Sequence, residues 1–137
     1  MNWNLGLIVV PVRDVDAAKE FYSENMGFDV LMDVQLNPER RVVQLFPPGS
    51  ACGIVIGDGL SNAEPGSAKG MHLMVDDVER AHLELTSRDV DVHGPYHFVE
   101  GVQVPGLHPT RGPFESFLDL ADPDGNVWVV QEVPATS

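Results

Sequence analysis

Apolar residues in this chain fall in short runs broken by turn signals, and the runs come as two sets in the same order. Residues 5–12 read as a first strand, with Pro11 tolerated near its end. Asp14 stands as a helix N-cap, and Val15, Ala18, Phe21 and Tyr22 follow at helical spacing, which predicts an apolar stripe. Gly27 is the expected stop, in the left-handed conformation past the last turn. Strands are predicted over 28–36, 41–46 and 51–56, with a turn at 37–39. Residues 58–69, rich in Gly, Ser, Asn and Pro, read as a linker.

The order then repeats. A strand is predicted over 71–75, a cap at Asp76 or Asp77, and a helix over 78–85 with Val78, Ala81 and Leu85 turned inward. Strand signals return at 90–92 and around 97–99. Residues 100–113 hold three glycines and three prolines, which predicts a long loop of the kind that often serves function. The last signal is the strongest: Asp122-Pro123-Asp124-Gly125-Asn126 between the apolar runs 116–120 and 127–133 reads as a hairpin. A weaker copy, Pro47-Pro48-Gly49-Ser50, sits between 42–46 and 51–56. Val12 to Ala18 aligns with Val75 to Ala81, so each half reads strand, helix, three strands. The expected class is α+β, with two tandem βαβββ modules over about 5–57 and 70–133 in a single domain. A helix covers one sheet face and leaves the other bare, so two such units are expected to associate.

Charge narrows the function classes. Lys and Arg number 8 against 21 Asp plus Glu, a net charge of −13, which excludes a general nucleic-acid surface. Acidity serves solubility and also steers cationic ligands. The apolar run at 7–12 is far too short to cross a bilayer, and it lacks a basic leader. A single cysteine, Cys52, excludes an internal disulfide, and the chain is read as cytoplasmic.

Val12 to Ala18, Phe21-Tyr22, Met26-Gly27-Phe28 and the 122–126 turn, in this order and spacing, resemble the vicinal oxygen chelate superfamily. That superfamily includes glyoxalase I, bleomycin resistance protein, fosfomycin-resistance enzymes and extradiol dioxygenases. The resemblance implies paired βαβββ modules forming a curved mixed sheet around a cleft, commonly in a homodimer. It marks four metal-ligand positions, which land on Leu7, Gly70, Val129 and either Ile54 or Val55. None of these side chains offers a donor to a divalent metal, so no metal and no cofactor is expected at the usual site. The branch of the superfamily this fits is the metal-free one, in which bleomycin resistance protein sequesters its ligand, an antibiotic-resistance role. A small, cationic or aromatic ligand is the expected partner.

Strand alternation gives the cleft face to Leu7, Val9, His72, Met74, Val129 and Gln131, and the helix side to Ile8, Val10, Met71, Leu73, Trp128 and Val130. His72 is the candidate acid–base or hydrogen-bonding group. Gln131 is a candidate hydrogen-bonder, and Phe46 and Phe117 are candidates to stack on a flat ligand. Cys52 and Ile54 belong to the predicted fourth strand, near the cleft or the core. Tyr96, Glu100, His108 and Arg111 are candidate contacts from a lid formed by the 93–113 segment. Two alternatives to a binder stay open. One is a lyase or isomerase working through His72 and that segment. The other is a metalloenzyme whose ligands have moved to His72, His97 or His108.

Overall fold

A computed structural model describes residues 1–135. The two sets of apolar runs become two compact units, Met1–Ala68 with Asp122–Asn126, and Lys69–Ala121 with the residues from Val127 onward.

In the first unit, β1 (Leu7–Val9), α1 (Val15–Glu20), β2 (Asp29–Asn37), β3 (Arg40–Phe46) and β4 (Gly53–Asp58) follow in the predicted order. The sheet order is β1-β4-β3-β2, parallel between β1 and β4 and antiparallel elsewhere. Asp14 caps α1 by accepting from the Ala17 amide at 3.1 Å, which satisfies one of the orphan donors of the first turn. A π-helical turn over Phe21–Asn25 continues the helix, and Gly27 follows at φ +76°. Ala18, Tyr22, Val43, Leu45 and Ile56 are fully buried and form the core of this unit. Cys52 falls just before β4 rather than on it, and its backbone amide and carbonyl both bond the Ser50 hydroxyl.

The 122–126 turn belongs to this unit, and its hydrogen bonds explain why. Asp122 is buried and accepts four bonds: from the Asp124 and Asn126 amides at 2.9 Å each, and from Asn126 Nδ2 and the Tyr22 hydroxyl at 2.8 Å each. Asn126 also donates from Nδ2 to the Pro11 carbonyl and accepts from the Ala68 amide. The turn is therefore a satisfied polar core as well as a chain reversal.

The second unit runs β5 (Met71–Val75), α2 (Val78–Ser87), β6 (Val92–Val99), β7 (Val102–Pro105), β8 (Phe117–Ala121) and β9 (Val127–Glu132), in the order β5-β9-β8-β6-β7. The cap is Asp77, which accepts from the Glu79 and Arg80 amides. Two features differ from expectation. The strand signals at 90–92 and 97–99 join into one strand, and the expected loop over 100–113 begins with β7. Glu100 (φ +51°) and Gly101 (φ +78°) form a two-residue turn of the type whose twist suits a hairpin, with Val99 paired to Val102. The second unit thus carries four strands after its helix, one more than the first.

Candidate ligand site

Register alone builds an ordered array on one face of the second sheet. His72 pairs with Val129, Val129 with Asp119, and Asp119 with His93, so these four form one row across β5, β9, β8 and β6. Met74 pairs with Gln131, Gln131 with Phe117, Phe117 with Tyr96, and Tyr96 with Pro105, which makes the adjacent row. Phe98 and its partner Gln103 lie beyond. Strands stand about 4.8 Å apart, so His72 and Asp119 are roughly 10 Å from one another.

The rings on this face contact each other. Tyr96 and Phe117 stack with centroids 5.6 Å apart, and Phe98 meets both edge-on at 5.7 and 5.5 Å. His93 leans on Tyr96 at 5.6 Å. The Tyr96 hydroxyl donates to Asp119 Oδ1 at 2.6 Å. Burial first, and then this carboxylate, push the Tyr96 hydroxyl well above the ordinary tyrosine range, so it stays a donor. A cavity of about 280 Å³ lies against His93, Tyr96, Gln103 and Pro105. A second, of about 580 Å³, is lined by His93, Asp119, Asp91 and Val127.

His72 is exposed at the other end of its row. Gln131 Nε2 lies 2.9 Å from His72 Nδ1, and Gln131 itself is buried at 8 % exposure. With the carboxamide donating, the imidazole proton sits on Nε2, which has no protein partner among the described residues. That tautomer suits His72 to donate to a ligand acceptor. Met74, at 62 % exposure, is the most open apolar group of the array.

The other predicted residues are placed elsewhere. In the first unit the exposed Leu7 and Val9 share one sheet face with the buried Gly53 and Val55 by register, whereas Ile54 points the opposite way and is 2 % exposed. Ile54 is therefore core, and the fourth-strand position is Val55. Phe46 is half-buried and lies over Gly53, where an added Cβ would meet its ring at 2.7 Å. Gly70 precedes β5. Glu100 is exposed at the tip of the β6–β7 hairpin.

His97, His108 and Arg111 are committed to holding chain segments together. His97 is buried on the face opposite Tyr96, with Nδ1 at 2.7 Å from the Gly106 carbonyl and its ring 5.5 Å from that of His108. His108 sits 3.1 Å from Glu115. Arg111 reaches Glu132 at 2.6 Å and Asp77 at 3.2 Å, which ties the segment after β7 to the start of α2. Arg111 and His108 thus restrain the expected lid, and His72 and His97 occupy opposite sheet faces, which separates the relocated metal ligands.

Glu132 and Asp119 went unseen in the sequence. Glu132 is 1 % exposed and accepts from the Val78 amide at 3.1 Å, so it completes the α2 cap from below. Its parity with Val130 gives the signal. Asp119 follows from pairing the 116–120 run with 127–131 across the turn, which sets it beside Val129.

The positions that the resemblance marks for a metal carry Leu7, Val55, Gly70 and Val129, which supply no donor, and the nearby His72 and Gln131 bond each other. Among the described residues no group of three or more His, Cys, Asp or Glu is placed to hold a metal ion. The residues present do not fit the usual metal centre.

A family model described as the Glyoxalase/Bleomycin resistance protein/Dioxygenase superfamily matches residues 4–130. Among solved structures, TnmS3, an antibiotic binding protein from Streptomyces sp. CB03234, is 33 % identical with 98 % of each chain covered and a TM-score of 0.76. A glyoxalase/bleomycin resistance protein from the same organism is also 33 % identical, over 94 % of this chain and all of the other, at a TM-score of 0.73. YetH of Bacillus subtilis is 26 % identical over 130 residues, 93 % of this chain and 97 % of that one.

Proposed function

Because the chain belongs to the glyoxalase/bleomycin resistance protein/dioxygenase superfamily, we propose that it is a metal-independent binding protein that sequesters a small aromatic molecule on the open face of its second sheet. The observation that carries this reading is the ring cluster of Tyr96, Phe98 and Phe117, in which Phe98 is exposed, Phe117 half-buried and Tyr96 buried beneath them, flanked by hydrogen-bonding groups and, among the described residues, by no metal-ligand set. Ring faces of this kind bind flat molecules by stacking and by apolar burial. The antibiotic binding described for TnmS3 supports the same class of role. No helix is long and apolar enough to cross a membrane, and we place the protein in the cytoplasm as a homodimer, for which the exposed Leu7, Ile8 and Val9 of β1 supply apolar surface.

Thermal-shift screening against aromatic antibiotics tests this reading, with a rise in Tm and unchanged ligand recovered after denaturation as the expected result. Stoichiometric metal in the purified protein, or a screen with no stabilising compound, would count against it. His72 favours a second reading, in which Nε2–H polarises a carbonyl of a bound molecule. Consumption of a bound compound that stops in His72→Ala, with Tm unchanged, would make the protein an enzyme.

A further inference from the structure

We propose that Asp119 selects ligands bearing a protonated basic nitrogen beside a planar ring, with the ring on Tyr96, Phe98 and Phe117 and the nitrogen on the carboxylate. The inference rests on the second sheet being a ligand-binding face, and it names the chemical class that face takes.

Asp119 is half-buried in the middle of the array, between Val129 and His93. Its Oδ1 receives the Tyr96 hydroxyl, while Oδ2 has no protein partner among the described residues. The rows on this face carry no Lys or Arg, and the basic groups near Asp119 are the imidazoles of His93 and His72. A carboxylate so placed is a strong acceptor for a cationic donor, because such hydrogen bonds are about twice as strong as neutral ones. The rings beside it act in the same sense, since their faces attract cations.

The space available matches. The two cavities meet at His93, one bounded by Tyr96 and Gln103 and the other by Asp119 and Asp91. A fused-ring system seated against His93 and Tyr96, at the edge of the aromatic cluster, can therefore place a substituent at Asp119. Neither cavity lining includes a Lys or Arg, and Asp91 and Asp119 in the larger one disfavour an anionic substituent. The net charge of −13 adds long-range attraction for cations.

Two tricyclic dyes of matched shape test the assignment: proflavine, which is cationic at neutral pH, and acridone, which is neutral. In fluorescence titrations of the purified protein, proflavine is expected to bind at least about tenfold more tightly. Asp119→Asn keeps an acceptor for the Tyr96 hydroxyl, so the fold should hold. It is expected to bring the two dyes within about twofold of each other by weakening proflavine alone. Equal affinities in the wild type, or a preference that persists in Asp119→Asn, overturn the proposal while leaving the ligand face standing. Failure of both dyes to bind overturns the face and the proposal together. Glu84→Gln, exposed on α2 and outside both cavities, is the control for general acidity. It is expected to keep most of the preference, and a loss there with retention in Asp119→Asn overturns the assignment. If Asp119→Asn lowers Tm sharply, Asp119→Glu provides the alternative measurement, since retaining the charge is expected to retain the preference.

Discussion

The two copies of the strand–helix–strand plan keep their pairings and differ in what those pairings display. Val9 stands opposite Val55 in the first unit as His72 stands opposite Val129 in the second. Gln44, also opposite Val55, corresponds to Asp119, and Val42, opposite Gly57, corresponds to Phe117. Gly57 itself corresponds to Gln131. At these matched positions one copy thus presents aliphatic groups and a single amide, with the lone ring of Phe46 over Gly53, and the other an imidazole, a carboxylate, an amide and a cluster of rings. Backbone hydrogen bonding constrains which residues face each other, but it leaves the open-face side chains free to diverge. The chemistry has gathered in the second copy.

The turns show the same asymmetry, and breaking them gives the largest expected effect. The first turn holds through one backbone bond, from the Ser50 amide to the Pro47 carbonyl, and through the exposed Ser50 hydroxyl on Cys52. Its counterpart is organised around Asp122, which satisfies four donors. Asp122→Ala should cost about 4 kcal/mol and lower Tm by roughly 10 °C or more, because it removes the buried acceptor of the Asp124 and Asn126 amides, Asn126 Nδ2 and the Tyr22 hydroxyl. Ser50→Ala should stay within about 0.5 kcal/mol. Similar Tm losses in the two variants would erase the asymmetry.

This difference also explains what could be read in advance. The caps, the two helical stripes and the 122–126 hairpin are local signals, each set within a few residues, and they sufficed for the fold. Residues 102–105 carry loop signals because the prolines and glycines around them outweigh the alternation of Val102, Gln103 and Val104. Glu100-Gly101, both left-handed, is a hairpin turn that the density of breakers concealed. At the site, parity put His72, Met74, Val129 and Gln131 on one face. It leaves the fourth-strand position between Ile54 and Val55, because the first-half register is open by one residue and a slip of one reverses the face, and Ile54 falls on the core side. Asp119 required pairing across the turn. Arg111 and His108 looked available for a ligand because their partners, Glu132 and Glu115, are matched only in three dimensions for the first pair and by the loop's fold for the second.

The way each helix is held sharpens the comparison at an intermediate scale. Both begin with an Asp cap, but α2 also rests on the buried carboxylate of Glu132, which accepts from Val78 and pairs with Arg111. Glu132→Gln leaves one acceptor for those donors and removes the charge, so a loss of about 2 kcal/mol is expected. Asp14→Ala in α1 should cost about 1 kcal/mol. Chemical denaturation measures both. A smaller loss at Glu132 than at Asp14 would mean that the buried pair adds nothing beyond an ordinary cap.

The smallest effect concerns the ions that serve the first unit. Asp33 on β2 bonds Arg41 on β3 in bidentate fashion, at 3.0 and 2.9 Å, and Lys19 on α1 at 2.7 Å, while Arg41 also reaches Asp16. Arg41 first, and then Lys19, hold the Asp33 carboxyl well below the usual carboxylate range. A group whose folded pKa is depressed adds stability that is present above its unfolded value, near pH 4, and is lost as pH falls toward the folded one. The network is solvent-facing, so its whole contribution should be about 1 kcal/mol or less. Asp33→Asn should therefore lower stability slightly at pH 7, and the gap from wild type should close as the pH drops below about 4. Salt near 1 M should shrink the same gap at neutral pH, since exposed pairs are screened there. The Arg111–Glu132 pair, whose carboxylate is buried although its guanidinium is half-exposed, should respond less to salt. A gap at Asp33 that ignores both acid and salt would show that the residue acts through packing, and would place the two units' ion pairs in one class.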